Sequence, residues 1–555
     1  MCGFAGRIAI RHLLAPAVLA VPLLRRGPDG WHHWAADHHG VELLHARLAI
    51  VDPDPRARQP MTSADGQQVL AFNGEVYNYR ALRTRIQGWN WVSDSDTEVL
   101  LAGLAQEGPA FLKRARGMFA GAWVDLTRRE VHLFRDPVGK KPLLLWPQAD
   151  GEILFGSSLT ALRVMCRHAP RWRIEALRDV LREGYIEPPD GLYEGVEHFL
   201  PGEHRVYGFD GSLKSRALIQ PGAVRQYAGE PSAEVDRHVA ELLDQAIARR
   251  LENNPEPAAL LSGGIDSTLV CQIAARQLAE RGQRLRVFSL KPFLPGTHDE
   301  PWAREAARRI GLQIEWVRLP TRNLVGRVLA AIEGMDEPLA MIAFINVWEL
   351  VRAVGAYSRV LLTGDGGDEV FLGYGKPDDW QHKPSALQNR ITPGAPFPVW
   401  FGPWAQRCAG SDLFGHGFQK VDRASAEQGV EIRCPLLDYD LGAYLRSLPA
   451  EELLRGGRMK ALAKAQLRGF PDRFLERRKL GITYNLRWQW LFSRFAGLRE
   501  RIDIDVQTAL AADLPAALRT PPSSWSTLAI HQHFQQAFAL LVLSRCLRRD
   551  PVGNR

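Results

Sequence analysis

At 555 residues the chain exceeds what a single hydrophobic core supports, so two or three domains are expected. A content of 46% hydrophobic and 24% charged residues is that of an ordinary soluble globular protein. The net charge of +8 is spread along the chain, with only short clusters such as Arg477-Arg478-Lys479, which argues for a solvated surface and against nucleic acid as a partner.

The six cysteines (Cys2, Cys166, Cys271, Cys408, Cys434, Cys546) show no paired metal-ligand spacing; in a chain of this size they indicate a reducing, cytoplasmic compartment and no zinc site. Residues 13–24 are apolar, but Pro16 and Pro22 interrupt them and no small-residue cleavage motif follows. An early helix of a folded domain is expected there, not a signal peptide. No other stretch approaches the length of a membrane span.

The chain opens Met1-Cys2-Gly3-Phe4-Ala5-Gly6. Removal of Met1 would leave a thiol and a free α-amine on one residue, a self-contained nucleophile and base, since such an amine titrates near ~8. Arg25-Arg26-Gly27-Pro28-Asp29-Gly30 signals a turn. The run from His45 to Asp52 reads as a strand presenting Arg47, a cation able to hold an amino-acid carboxylate. An apolar strand through Ala71 and Phe72 is read as ending in Asn73-Gly74, whose amide and backbone N–H suit an oxyanion. Asp96, in Ser95-Asp96-Thr97-Glu98, is placed to pair with an ammonium. Residues 200–230 are rich in turns and read as a linker region.

From about residue 231 strands and helices alternate, which predicts a doubly wound parallel sheet with ligands at the strand carboxyl ends. Ala258-Ala259-Leu260-Leu261 reads as a buried strand, followed by Ser262-Gly263-Gly264-Ile265-Asp266-Ser267 and a helical pattern. Small residues before a helix N-terminus make a phosphate cradle, yet no Gly-Lys-Ser/Thr follows as a Walker loop requires. Asp266 within that cradle suggests Mg²⁺ between carboxylate and phosphate. Thr363-Gly364-Asp365-Gly366-Gly367-Asp368-Glu369 follows another buried strand, and its crowded carboxylates also favour a shared cation.

The runs MCGFAG, RGPDG, HARLAIVD, FNGEVYN, SDTE and RDPVGKKPL together resemble the glutaminase domain of class II amidotransferases, which use an N-terminal nucleophile. SGGIDS resembles the pyrophosphatase loop of enzymes that cleave ATP between its α and β phosphates. With TGDGGDEVFLGY and GVEIRCPLLD behind it, most of the chain is similar to the glutamine-dependent asparagine synthetases.

That resemblance implies an αββα amidotransferase domain over residues 1–205, a linker over 206–230 and an ATP-dependent adenylating domain over 231–555. It implies Cys2 as nucleophile, Asn73 and Gly74 as oxyanion hole, and Arg47, Leu48, Ala49, Ile50, Val51, Asn73, Gly74, Glu75 and Asp96 around glutamine. ATP would lie against Leu260, Ser262, Gly263, Gly264, Asp266, Ser267, Leu290, Thr363 and Gly364, with Asp266 and Asp368 serving Mg²⁺ and pyrophosphate. Asp365 would act near the acyl carbon, and Lys479 would neutralise phosphate charge. The implied substrates are glutamine, ATP and an acceptor carboxylate, aspartate first among them. No nucleic acid or membrane partner is implied, and the assembly considered is a homodimer.

Three departures bear on the acceptor. Asp365 stands where the synthetases carry Glu; residues 376–419 match no family pattern; and Ala424-Ser425-Ala426-Glu427-Gln428-Gly429 keeps only Ser425 of the family's run. The same chemistry on another carboxylate is therefore the second reading. A binding protein without turnover is disfavoured because the reactive residues are all present, and a ring-forming synthetase because Cys2 is retained.

Overall fold

The computed structural model describes residues 1–10, 15–36, 40–252, 256–291, 299–318, 323–373, 417–477, 499–526 and 533–547. Lys479 and nearly all of 376–419 lie outside them.

The first unit is two antiparallel six-stranded sheets laid face to face. One runs, in spatial order, Glu197–His198, Leu144–Pro147, Ile153–Gly156, Gly3–Ile8, Val41–Ala46 and Trp31–Ala36. The other runs Leu213–Leu218, Glu203–Gly208, Glu130–Arg135, Gly117–Asp125, Gln68–Val76 and Met61–Thr62. Period-two alternation explains the layering. Along Gln68–Val76, Val69 and Ala71 join Phe4, Ile8, Ala120 and Leu133 between the sheets, while Leu70 and Phe72 face outward onto Val99 and Leu100. Those two belong to helix Asp96–Glu107; helices Pro16–Leu24 and Leu159–Met165 cover Ala5, Leu44 and Leu154 on the far side. The result is the expected αββα sandwich, and Pro16–Leu24 is the expected early helix.

Two local expectations fail. The strand around His45 stops at Ala46, because Arg47 turns away: its backbone pairs with the turn at Asp29 and Gly30, and its guanidinium bonds the carbonyl oxygens of Asp52 and Asp54. Residues 47–54 are thus curled into a loop. Asn73-Gly74, in contrast, does not end its strand but lies inside it, opposite Ala120 and Phe119. Gly74 is obligatory there, with φ of 142° and space that would put a Cβ 1.9 Å from the Met118 carbonyl oxygen.

The expected boundary after residue 205 falls inside strand Glu203–Gly208, and the sheet continues through Leu213–Leu218. Helix Ser232–Leu251 then opens the second unit. Its sheet is parallel, in the order Ile314–Arg318, Arg286–Lys291, Ala258–Leu260, Val360–Leu362, Glu431–Arg433, so the chain winds outward both ways from Ala258–Leu260. Both predicted phosphate-side loops leave the carboxyl ends of the two central strands, at the topological switch point.

Buried and half-buried ion pairs join the units. Arg26 holds Asp422 at 2.9 and 3.2 Å, Arg116 holds Asp440 at 2.8 Å, and Glu337 accepts from His198 at 3.2 Å and from Arg423 at 2.9 Å. Glu337 is 2% exposed, and His198 and Arg423 pull its carboxyl below the usual range despite burial. Replacing one partner of such a group leaves uncompensated charge in a dry seam. Glu337→Gln is therefore expected to cost about 3 kcal/mol, read as a lower thermal midpoint; an unchanged midpoint would show that the seam carries no stabilising charge.

Candidate active sites

Cys2 lies one residue before strand Gly3–Ile8 and shares the parity of Phe4 and Ile8, which points its side chain toward the facing sheet. The facing strand presents Asn73 and Glu75 with the parity of Val69 and Ala71. The two sheets thereby converge on one cavity of about 40 Å³. Arg47, Leu48, Ala49, Ile50, Val51, Gly74, Glu75 and Asp96 all line it together with Cys2. Asn73 is wholly buried, with both ends of its amide lacking a hydrogen-bond partner. Such an amide in so dry a place is in keeping with a polar ligand.

The thiol lies 3.4 Å from the Leu48 N–H and 3.7 Å from the Leu48 carbonyl oxygen, and burial pushes it up from its ordinary pKa. Burial also lowers the Met1 amine to about 5. Asp96 opens helix Asp96–Glu107 and accepts from the Val76 N–H at 2.9 Å; burial pushes its carboxyl up to about 7 against that bond. Glu98, two residues on, anchors the preceding loop through Trp89, Val92 and Ser93. Gln59 ties Phe72 N–H to Thr97, holding strand to helix.

Glu75 does line the cavity, but its carboxylate is bonded to Arg433 of the second unit, so its role is shared with the seam. Arg433 also holds Glu431 at 3.0 Å, and Glu431 itself lines the Cys2 cavity. Burial would raise Glu431, yet Lys141 and Arg433 hold it down at about 2; burial pushes Glu75 well up. Of the two carboxyls sharing Arg433, Glu431 keeps the charge.

At the second site Ser262 and Ser267 close the loop between strand and helix: the hydroxyls are 3.0 Å apart and the Ser262 N–H donates to Ser267 at 3.2 Å. Gly263 has φ of 76°, and a Cβ there would come 2.3 Å from the Ala303 nitrogen. Only glycine allows the loop to lie against helix Glu300–Ile310. Gly364 packs equally close to the Ser267 nitrogen, so the two loops touch. Leu260 and Leu290 stand part-buried near the ends of neighbouring strands, and Thr363 is buried with its hydroxyl 3.5 Å from Cys434.

Asp266 and Asp368 come together, and a residue missed from the sequence joins them. Lys460 is 7% exposed, bonds Asp266, and lies 2.7 Å from Asp368. Its backbone is left-handed, φ 56°, at the start of helix Ala461–Gln466. The signal available was Gly456-Gly457-Arg458-Met459-Lys460, a glycine turn delivering a lysine. Arg477 bonds the Gly263 carbonyl at 2.9 Å and Asp299 at 2.8 Å; Asp365 lies 3.6 Å from Lys420. Hard carboxylate oxygens gathered around a positive charge fit Mg²⁺ shared with phosphates, although the described residues alone form no three-ligand metal cluster.

Residues 1–216 match the family described as a glutamine amidotransferase domain, and residues 238–413 and 413–510 match asparagine synthase. A putative glutamine-hydrolysing asparagine synthetase of Mycobacterium bovis is 27% identical, over 88% of this chain and 88% of that protein. Asparagine synthetase B of Escherichia coli is 26% identical, over 83% of this chain and 77% of its own. Amidase chry2 of Gibberella zeae is 27% identical over 63% of this chain and 54% of that one. No described helix is long and apolar enough to cross a membrane. With an amidotransferase sandwich built around Cys2 and an ATP-type loop pair at the switch point of the second sheet, the chain belongs to the glutamine-hydrolysing asparagine synthetase family of ligases.

Proposed function

We propose that the protein makes an amide from a carboxylic acid by way of an acyl-adenylate, using ammonia released from glutamine at Cys2. One observation carries this reading above the others: a single short strand links the two sites. Glu431–Arg433 begins at Glu431, in the Cys2 cavity, and is followed by Cys434, in contact with Thr363 beside the ATP-side loops. Three residues of strand span only ~10 Å.

At the first site Met1 is removed, exposing the Cys2 amine. The burial that lowers the Met1 amine acts likewise on an amine at Cys2, leaving it neutral and able to take the thiol proton. The thiolate attacks the glutamine side-chain amide; Asn73 and the Gly74 N–H stabilise the oxyanion, and the ammonia leaves. Asp96 holds the substrate ammonium and Arg47 its carboxylate. Water then hydrolyses the thioester.

At the second site the acceptor carboxylate attacks the α-phosphorus of ATP, and pyrophosphate leaves; ammonia displaces AMP from the acyl carbon. Asp266 and Asp368 would hold Mg²⁺, which when bound neutralises phosphate charge. Ser262, Gly263, Gly264 and Ser267 orient the phosphates, and Lys460 supplies a cation at the same point. Lys479 is assigned the role of a further phosphate neutraliser, and Asp365, steadied by Lys420, that of proton acceptor from the attacking ammonia. Aspartate is the first acceptor to consider. The residues between Ala424 and Gln428 favour keeping a second, non-aspartate acid in view.

Pyrophosphate exchange with aspartate, against a panel of other carboxylic acids, tests the acceptor; exchange with none of them would overturn adenylation. Cys2→Ala should abolish glutamine-dependent amidation while leaving amidation from ammonium salts intact, and surviving glutaminase activity would remove Cys2 from the mechanism.

Asp96 binds the ammonium as a carboxylate, and in the free enzyme it protonates as pH falls through about 7. The KM for glutamine is therefore expected to rise tenfold per pH unit well below that value, with kcat little changed. Asp96→Asn should have a KM raised at all pH values and flat across this range.

Lys460→Met should lower pyrophosphate exchange by about 10²–10³ and spare glutamine hydrolysis. The same substitution at Lys479 in parallel shows which lysine bears the phosphate charge; wild-type exchange in Lys460→Met would make Lys460 a structural clasp.

A further inference from the structure

A second cavity of about 40 Å³ lies in the seam between the units, with neither Cys2 nor the ATP-side loops in its lining. Its charges do not balance in pairs. Asp422 is held by Arg26, Glu337 by Arg423 and His198, and Asp336 by the Ser158 hydroxyl and the Leu159 and Thr160 N–H groups. Each lining carboxylate thus already has its donors. Among the described residues Lys140 has none of these acids as an ion-pair partner: it is 5% exposed, its Nζ makes no hydrogen bond, and the Phe418 ring lies 5.0 Å from it. Arg135 on the same wall bonds the carbonyl oxygens of Gly139, Lys141 and Phe199. Gln419, across the cavity on the second unit, has its Oε1 buried without a donor.

A buried ammonium with no counter-charge is costly, by several kcal/mol for an ion in a dry site. Water filling the cavity would satisfy its hydrogens but leave its charge. Three carboxylates nearby disfavour a dianion. We propose that this cavity binds one small monovalent anion, such as chloride, which neutralises Lys140. With the Gln419 amide turned to present its NH₂, the anion receives a donor from each unit and clasps the amidotransferase unit to the synthetase unit.

The site is tested on the full-length protein without reference to turnover. Crystals soaked in sodium bromide should show an anomalous peak within hydrogen-bonding reach of Lys140 Nζ, absent in Lys140→Met. In solution, chloride in place of gluconate at constant ionic strength should raise the thermal midpoint by about 2–4 °C. Gln419→Glu places a carboxylate inside the cavity, so it should abolish the chloride effect while melting at or above wild type in gluconate. A cavity with no anomalous signal and equal midpoints in both salts would overturn the proposal and leave a water-filled cavity.

Discussion

Everything in this molecule that requires two sites to act together depends on Arg433. It is wholly buried, yet it holds Glu431 on its own strand and Glu75 on a strand of the other unit, while its NH1 donates to the Arg250 carbonyl at 2.7 Å. A guanidinium suits this position because its planar fork serves several acceptors at once, where an ammonium would serve them singly. Two carboxyls and one cation also leave a surplus proton demand, and this falls on Glu75. The network extends to Lys141, 3.9 Å from Glu431, whose ammonium lies 2.7 Å from the Met1 sulfur. Pairs of this kind seldom add much stability over a well-packed apolar seam, but they fix one docking register, since any slip strands a buried charge. Register is what a shared cavity requires.

The same logic places the ATP-side chemistry. A parallel sheet delivers its loops to one edge, and the two central strands deliver Ser262 to Ser267 and Thr363 to Asp368 side by side. Close contact between those loops brings Asp266 and Asp368 together, and their repulsion is relieved by Lys460. The acids are thus preorganised around a positive charge before any substrate arrives. Such preorganisation is what makes electrostatic stabilisation effective in a transition state.

Much of this was legible in the sequence because the informative residues are locally constrained. Glycines at Gly74 and Gly263, an acid inside a glycine loop, and alternating apolar residues each report on their own few neighbours. The sandwich and the parallel sheet followed from such signals. What was not legible depends on long-range placement. Arg47 reads as strand because its neighbours are apolar; its side chain instead folds back on the Asp52 and Asp54 carbonyls. Strand Leu213–Leu218 is almost wholly exposed, with Lys214 and Arg216 among its residues, so it carries no buried pattern and reads as linker. Lys460 sits in an unremarkable run, and only the approach of Asp266, almost two hundred residues earlier, gives it a role. Glu75 lines the Cys2 cavity as its motif suggests, but nothing local announces its pairing with Arg433.

The Cys2 cavity shows how burial sets the resting state of the nucleophile. Removal from water raises the thiol and lowers the amine at this end of the chain, so both neutral forms are favoured together. A thiolate beside an ammonium would attract one another, but each is stripped of solvent, and Glu431 opposes the thiolate while Arg47 favours it. In the proposed mechanism, proton transfer from sulfur to nitrogen would therefore wait until negative charge can pass from sulfur to the carbonyl oxygen of a substrate. Asn73, with its amide unspent, and the Gly74 N–H would receive that charge. A free site without substrate thus holds little thiolate, which guards the part-buried Cys2 thiol against oxidation. In the same mechanism glutamine would supply the missing partners: its ammonium would favour ionised Asp96, and its amide carbonyl would complete the path for the charge. The second unit takes part in this balance through Glu431, so undocking it would change the nucleophile as well as the route of its product.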